Sequence, residues 1–245
     1  MKDLLTIEHL KHNKALTAFS GVFIVVFILL GFWQIERAGF KESLINEFNL
    51  EQAKAPQPIS GSSSQWGRVY IEGFYDSNQQ VLIDNQINNG KVGYKIYTPF
   101  YYDQDQAIFV DRGWISQGKT RNDLPNINFN SAKLRIIGSL IKPEKEVLAG
   151  DELLTSEWPL VSQTKSPSII QEAYKKKFSD MVLILDPDSL FMNEHVALSP
   201  FVITPTKHYG YSLQWFTMSL VLAGMFLYAI KSCLLYTSPS PRDRG

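Results

Sequence analysis

The sequence predicts an α+β membrane protein in which two transmembrane helices flank a β-rich extracytoplasmic domain. Two uncharged, apolar stretches lie near the ends of the chain, at residues 15–35 and 209–230. At ~1.5 Å rise per residue, each would form a helix of roughly 30 Å, which matches the hydrocarbon core of a bilayer. The residues between them are more polar and contain segments rich in β-branched and aromatic side chains, which favour strands.

The first apolar stretch is predicted to be an uncleaved transmembrane helix. A signal peptide would have a shorter apolar region followed by small residues at a cleavage site. Here the run continues as far as Ile35 and places Trp33 where an interfacial aromatic residue belongs. Large apolar side chains keep a helical spacing through residues 36–48, so we expect the helix to continue beyond the membrane. Pro56 and Pro58 should then end it.

Two spans place both chain ends on the same side of the membrane. Lys11 and Lys14 precede the first span and Lys231 follows the second, so the excess of positive charge puts the ends in the cytoplasm. Arg37 and Lys41 lie on the opposite flank and weaken this bias.

The expected compartment is the bacterial inner membrane, because the N-terminal residues lack the Arg- and Ser-rich character of a mitochondrial transit peptide. The mitochondrial inner membrane is the alternative. The predicted organisation is a cytoplasmic tail at 1–14, a transmembrane helix at 15–35, a periplasmic β-rich domain at 36–208, a second transmembrane helix at 209–231 and a tail at 232–245.

The C-terminal tail is interpreted as an assembly scar that begins at Cys233. The segment from Cys233 to Asp243 reads as the translation of a sequencing-library adapter, and such segments are excluded from reasoning about the fold. Cys233 is also the single cysteine of the chain. The rest of the sequence therefore has no cysteine for a disulfide, a metal site or a nucleophile.

The central residues are predicted to form a five-stranded antiparallel meander or a small barrel. The five strand-like segments are 68–74, 80–84, 93–98, 107–115 and 133–141. Turns or bulges are expected at Gly73, at Asn88-Asn89-Gly90 and at Gly113. Further along the chain, a short helix is expected at 168–178, with additional strands at 181–186 and 201–204.

The sequence gives little support for enzymatic chemistry, so no catalytic residue is assigned. It has no Gly-rich phosphate loop, no nucleophile elbow and no His-Glu-x-x-His metal pair. The formal net charge is zero, which does not suggest a nucleic-acid partner. The other histidines and a pair of neighbouring carboxylates are expected to be solvated surface groups; they are His9, His12, His195, Asp103 and Asp105.

The candidate site is the start of the second span, where His208, Tyr211 and Trp215 are spaced i, i+3 and i+7. This spacing places the three side chains on one helix face near the membrane surface. Two explanations remain open. The three residues can anchor the helix at the interface, or His208 can be an axial ligand of haem iron, with the aromatic rings beside the porphyrin.

The end of the first span would reach the same membrane surface as His208. Trp33, Gln34 and Arg37 lie there, so we hypothesise that the two helices pair at this level. The Arg37 guanidinium would then be available to a carboxylate or a propionate.

A second motif, Arg112-Gly113-Trp114, lies within a predicted strand. One explanation is structural: a β-bulge at Gly113, with Trp114 packed in the core. The alternative is that Arg112 is exposed and binds a partner.

Five segments, in order along the chain, resemble the Surfeit locus protein 1 family, the cytochrome c oxidase assembly factors. The first is Gly31-x-Trp33-Gln34-x-x-Arg37-x-x-x-Lys41, and the last is His208-x-x-Tyr211-x-x-x-Trp215-Phe216. Between them lie residues 68–73, 92–99 and 110–115. Each motif is weak alone, but five in order between two apolar spans are specific, and together they cover nearly the whole chain up to Ser232.

The resemblance implies a non-enzymatic, membrane-anchored chaperone of respiratory-chain biogenesis that helps to build the haem-copper cytochrome c oxidase. It implies haem a as a transiently bound cofactor, with His208 as the candidate iron ligand. The implied partners are the catalytic subunit of the oxidase, haem a synthase and the lipid bilayer. The alternatives are a scaffold without haem contact and, in a different class, a two-span membrane sensor.

Overall fold

The computed structural model describes residues 14–102, 106–120, 123–130, 132–143, 154–174, 176–201 and 203–236. The expectations for His9, His12, Asp103 and Asp105 lie outside the described residues. So do residues 1–13 and 237–245 of the two tails predicted at 1–14 and 232–245. The chain divides into two compact units. One consists of Met1–Asn46 together with Pro200–Gly245, and the other of Glu47–Ser199.

Three helices and eight strands make up the described part of the chain. In order they are α1 Lys14–Gln52, β1 Gln57–Pro58, β2 Arg68–Tyr75, β3 Val81–Asn88, β4 Lys91–Tyr101, β5 Ala107–Ser116, β6 Leu134–Ile141, β7 Leu160–Ser162, α2 Pro167–Ile170, β8 Phe178–Leu185 and α3 Pro205–Tyr236. A 3₁₀ turn, Gln171–Ala173, follows α2.

The two long helices are apolar and long enough to cross a membrane, judged by length and composition. The first runs without a break to Gln52, which confirms that it continues past the apolar stretch. It ends shortly before Pro56 and Pro58, whose rings cannot be accommodated inside a helix. The second begins at Pro205, because a fixed φ and a missing N–H suit proline to the first helical turn.

Five strands close into a barrel in the order β2, β6, β8, β5 and β4, and β4 pairs back to β2. The closing pairs are Phe74 with Tyr101 and Tyr75 with Phe100. Gly73 lies inside β2, where a methyl group would overlap the carbonyl oxygen of Tyr101. The expectation of a turn or bulge at Gly73 is therefore wrong. The glycine is needed because two strands approach closely at the closure.

The barrel is confirmed, but the meander of five consecutive strands is wrong. β3 lies outside the closed ring, between β4 and the short strand β7. Its place in the ring is taken by β8, which inserts between β5 and β6 and runs parallel to β5. A parallel neighbour requires a long crossover connection. Here the chain passes through β6, β7 and α2 between β5 and β8.

The barrel core is built from residues that alternate along the strands. Its buried members are Val69, Ile71, Tyr75, Phe100, Ile108, Val110, Ile136, Leu140, Leu183 and Leu185. A second cluster covers the other face of β5 and includes Phe109, Tyr174 and Phe178. Because both faces of β5 are covered, its residues from Ala107 to Trp114 are all buried.

The remaining local expectations are met in part. The hairpin turn at Asn89-Gly90 joins β3 to β4 with positive φ at both residues, as expected for a two-residue turn. The strand expected at 181–186 is found as β8. The helix expected at 168–178 is shorter, because the chain becomes extended before Phe178 opens β8. The strand expected at 201–204 is wrong at the described positions, since the chain there leads directly into α3.

Candidate functional site

The first candidate site lies where α1 and α3 pack against each other through small residues. Ser212 Oγ donates a hydrogen bond to the carbonyl oxygen of Gly31 at 3.0 Å, and Ser219 Oγ donates one to that of Ile24 at 3.4 Å. Advancing along α3 therefore means moving back along α1, so the helices are antiparallel. A methyl group added at Gly31 would lie 2.6 Å from the Phe216 ring. Close packing of this kind is typical of helix pairs in membranes.

His208 and Gln34 meet one helical turn away from the contact between Gly31 and Ser212. The distance from His208 Nδ1 to Gln34 Oε1 is 2.8 Å. Gln34 is 8% exposed and belongs to the buried face of α1, while His208 is half-buried. The hypothesis that the two helices pair at this level is confirmed, and Gln34 is the residue that makes the contact.

The aromatic residues of the candidate site have different surroundings. Trp215 is half-buried, with its ring centroid 5.6 Å from that of Phe27 on the opposite helix. Tyr211 is 47% exposed and Trp33 is 49% exposed. The face expected to carry His208, Tyr211 and Trp215 together is thus divided, with Trp215 against α1 and Tyr211 turned outward.

Arg37 lies at the end of the uncharged part of α1 and is exposed. Its guanidinium carbon is 5.9 Å from the centre of the Phe40 ring on the same helix. In the described part of the chain, no carboxylate forms an ion pair with Arg37, and no hydrogen bond joins it to His208. Its proposed role as a partner for a carboxylate or propionate stays a prediction.

Ser212 and Tyr209 were not singled out by the sequence as parts of the site, and Phe216 was named only as the last residue of a family motif. Tyr209 donates a hydrogen bond to Glu42 Oε1 at 3.2 Å. The serines at 212 and 219 are spaced i and i+7 on an apolar helix, and this spacing is a signal for helix pairing that could have been used. The contact with Glu42 has no comparable local signal.

No cluster of three or more His, Cys, Asp or Glu side chains that could hold a metal ion is found among the described residues. Any metal bound at His208 would therefore take at most two side chains of these types from the described part of the chain.

Arg112 lies in the second candidate site and is buried, with 4% exposure. The alternative explanation required an exposed Arg112, and the exposure is wrong. Its Nη1 donates to Gln80 Oε1 at 2.7 Å and its Nε donates to the carbonyl oxygen of Phe191 at 2.9 Å. The guanidinium also stacks 4.1 Å from the centre of the Phe129 ring. Burial lowers the pKa of Arg112 to about 10, so the side chain remains charged at neutral pH.

The β-bulge expected at Gly113 is confirmed. Lys95 pairs with Trp114 and Tyr97 pairs with Asp111, so two residues of β5 oppose one residue of β4. Gly113 has a φ of 93° and lies against the carbonyl of Glu194. The bulge lets Trp114 pack in the core.

Trp114 is buried, and both its side chain and its backbone form hydrogen bonds next to the bulge. Its indole Nε1 donates to the carbonyl oxygen of Gln86 at 2.7 Å, and its backbone N–H donates to that of Glu194 at 2.8 Å. Arg112, Gly113 and Trp114 therefore hold the 191–194 segment and the β3–β4 hairpin to the barrel. His195, one residue beyond this segment, is exposed as expected.

The fold and the helix pair define a class of protein in which a small β-barrel unit is inserted between two long apolar helices. The family model described as "SURF1 family" matches residues 21–220, which include most of α1, the whole barrel and the first half of α3. The chain belongs to the SURF1 family. The resemblance predicted from the five motifs is confirmed.

Relatives of the chain include bacterial and eukaryotic proteins. A SURF1-like protein of Rickettsia felis is 25% identical over 209 residues, covering 82% of this chain and 91% of the relative. A SURF1-like protein of Rickettsia conorii is 26% identical over 216 residues, covering 84% of this chain and 88% of the relative. The cytochrome oxidase assembly protein SHY1 of Saccharomyces cerevisiae is 26% identical over 134 residues. That match covers 50% of this chain and only 34% of the yeast protein.

Proposed function

We propose that this chain is a membrane-anchored, non-enzymatic assembly factor for the haem-copper cytochrome c oxidase. The observation that carries the proposal is the family match over residues 21–220, read together with the oxidase-assembly name of the yeast relative. The two apolar helices suit an anchor, and the barrel unit suits a docking module. The catalytic subunit of the oxidase is the proposed partner.

The proposed placement is the bacterial inner membrane, with the barrel unit on the periplasmic side. It is supported by the two candidate spans. It is also supported by Lys14, just before the first apolar stretch, and Lys231, just after the second, since positive residues favour the cytoplasmic side. The relatives in Rickettsia fit a bacterial membrane. The mitochondrial inner membrane is the alternative, because the relatives also include a eukaryotic protein.

We further propose that the chain binds haem a as cargo for the oxidase, with haem a synthase as its source. The residues fit a single histidine ligand, and His208 would be the residue that holds the haem iron. His208 has one ring nitrogen held by Gln34, and its Nε2 makes no hydrogen bond within the described part of the chain. A neutral imidazole nitrogen is a common haem ligand.

Exposed groups close in sequence to His208 or to its partner Gln34 suit the rest of the haem. Trp33 and Tyr211 offer aromatic surface, and the exposed Arg37 offers a fixed positive charge for a propionate. When bound, haem a supplies the redox-active iron that the finished oxidase uses. The chain's own residues only bind, orient and release it.

A purely scaffolding factor, without haem contact, is the second candidate function. The hydrogen bond between His208 and Gln34 favours this function as well, because it also stabilises the packing of the two helices. The two functions differ in what the replacement of His208 should do.

The assembly role is tested by expressing the chain in a bacterial strain that lacks its own SURF1-family protein. We expect oxidase activity and the haem a content of the membranes to rise towards normal levels. Failure to restore either, with the protein present in the membrane fraction, would contradict the proposal.

The haem role is tested by purifying the wild-type protein and His208→Ala in detergent from cells that make haem a. We expect a haem a absorbance spectrum for the wild type that is lost in His208→Ala. His195→Ala is the matched control, because it removes an exposed histidine of the barrel unit. A wild-type protein without haem, or a His208→Ala variant that still matures the oxidase, would favour the scaffold.

A further inference from the structure

We infer that Gln34 is a positioning residue that fixes the ring tautomer of His208 and leaves Nε2 as the nitrogen offered to a metal. The side-chain oxygen of a glutamine can only accept hydrogen bonds. Since Oε1 of Gln34 is the atom that faces His208 Nδ1 at 2.8 Å, the proton of a neutral imidazole must be on Nδ1. The lone pair is then on Nε2, which makes no hydrogen bond within the described part of the chain.

The contact is held in register by the packing around it. Gln34 is buried on the same face of α1 as Gly31 and Ala38. One turn away, the hydrogen bond from Ser212 to the Gly31 carbonyl fixes the two helices relative to each other. Because a helix advances one turn in three or four residues, this register brings Gln34 opposite His208. The imidazole is thus held at one nitrogen before any ligand arrives.

Such an arrangement is what a metal-binding histidine requires. A ligating histidine almost always donates its other ring N–H to an acceptor, which sets the tautomer and the ring orientation and makes the ligating nitrogen more basic. The usual acceptor is a carboxylate, a backbone carbonyl or water. An amide oxygen can serve the same purpose without placing a net charge in an apolar helix pair, where a charge is costly.

The tautomer can be measured without any haem. In detergent-solubilised protein labelled with ¹⁵N-histidine, at a pH above the usual range of histidine titration, the ring nitrogen shifts and their couplings to the ring protons report which nitrogen carries the proton. The signals of His208 are identified by their loss in His208→Ala. We expect an Nδ1–H tautomer in the wild type and its loss in Gln34→Leu.

The matched control is Ser212→Ala, which removes the neighbouring hydrogen bond of the helix pair and leaves the acceptor of His208 in place. We expect this variant to keep the Nδ1–H tautomer. An Nε2–H tautomer in the wild type, or an unchanged tautomer in Gln34→Leu, would overturn the inference.

Because the metal-binding consequence rests on the proposed haem function, a second measurement separates the two. We expect haem a to bind Gln34→Leu about 10- to 100-fold more weakly than the wild type. Gln34→Glu retains an acceptor and should bind haem better than Gln34→Leu. A wild-type protein that binds no haem contradicts the haem function, and the NMR spectrum alone then decides the role of Gln34. Equal haem affinity of Gln34→Leu and the wild type contradicts that role while leaving the haem function intact.

Discussion

Buried polar groups have different numbers of partners in the helix pair and in the barrel unit. In the helix pair, the polar contacts are few and separate, and each joins one side chain to one acceptor, as Gln34 does with His208. In the barrel unit, Arg112 is surrounded by Gln80, the carbonyl of Phe191 and the ring of Phe129. Removing a contact from the first region should change a local geometry. Removing one from the second should leave several buried groups without partners.

This difference assigns different roles to the two motifs that stand out in the sequence. Arg112, Gly113 and Trp114 are buried, and their contacts lie within the barrel unit, so these residues stabilise the fold. His208 is half-buried and has one ring nitrogen without a hydrogen-bond partner among the described residues. A group held at one end and open at the other can bind a ligand, and a group satisfied on all sides cannot do so without breaking contacts.

The largest expected effect is on the free energy of unfolding of the barrel unit in Arg112→Ala. Loss of the buried guanidinium leaves the Phe191 carbonyl without this donor and removes the stacking on Phe129. It also removes one of two donors to Gln80 Oε1, the other being the hydroxyl of Thr98. Hydrogen bonds to charged groups contribute about 1.5–3 kcal/mol each, so we expect a destabilisation of about 3–5 kcal/mol. Thermal unfolding of the full chain in detergent, followed by near-UV circular dichroism, measures it.

The control for Arg112 is Arg135→Ala in the same unit. Arg135 forms an ion pair with Glu72 at 2.6 Å, and both side chains are at least half exposed. Exposed pairs of this kind contribute about 0–1 kcal/mol. Equal destabilisation by the two variants would show that the buried network of Arg112 does not stabilise the barrel unit.

The next effect in size is expected for Gly113→Ala. An alanine at a φ of 93° is strained, and its methyl group would lie 2.6 Å from the Glu194 carbonyl oxygen. We expect a loss of about 2–3 kcal/mol in the free energy of unfolding. Gly61→Ala is the control, because a methyl group there meets no atom within 4 Å. If both variants unfold at the wild-type temperature, the bulge is not a constraint on the fold.

The helix pair should respond to Gly31→Ala with a smaller and local effect. The added methyl group would lie 2.6 Å from the Phe216 ring, so the ring or the helix must move. We expect about 1–2 kcal/mol of weakened helix packing, in line with single contacts between membrane helices. Hydrogen exchange read by mass spectrometry should accelerate in both helices near residues 27–34 and 212–219. Gly224→Ala, whose methyl group meets nothing within 4 Å, should leave exchange unchanged.

The smallest effect concerns Tyr174→Phe and depends on pH. The hydroxyl donates to the Gln79 carbonyl at 2.7 Å, so its loss should destabilise the barrel unit by about 1 kcal/mol at pH 7. Burial raises the pKa of Tyr174 well above the usual value of about 10. The stability that this tyrosine contributes is therefore complete below pH 10 and is lost as the pH rises further.

Unfolding temperatures of the wild type and Tyr174→Phe should consequently converge between pH 10 and pH 11. Tyr75→Phe is the contrasting variant. The Tyr75 hydroxyl is buried and finds no hydrogen-bond partner among the described residues. Its removal at pH 7 should cost nothing or stabilise the fold slightly, since no bond is broken. A constant difference between wild type and Tyr174→Phe up to pH 11 would contradict the raised pKa.

Several features of this protein follow from the sequence alone, because they depend on neighbouring residues. The apolar runs at 15–35 and 209–230 determine the two long helices, since their length and lack of charge are local properties. Asn89-Gly90 specifies its hairpin because these residues tolerate positive φ. The five motifs were sufficient to recognise the family. Gly113 was sufficient to predict the position of the bulge.

Only the tertiary structure decided which strands are neighbours and which polar groups meet. The insertion of β8 between β5 and β6 depends on pairing over long sequence separations, which no local pattern encodes. The burial of Arg112 depends on Phe129 and Phe191, which come from distant segments. Gln34 and His208 are 174 residues apart, and the sequence placed both at one membrane surface without pairing their side chains. Their contact exists because Gly31 and Ser212 let the two helices approach closely in one register.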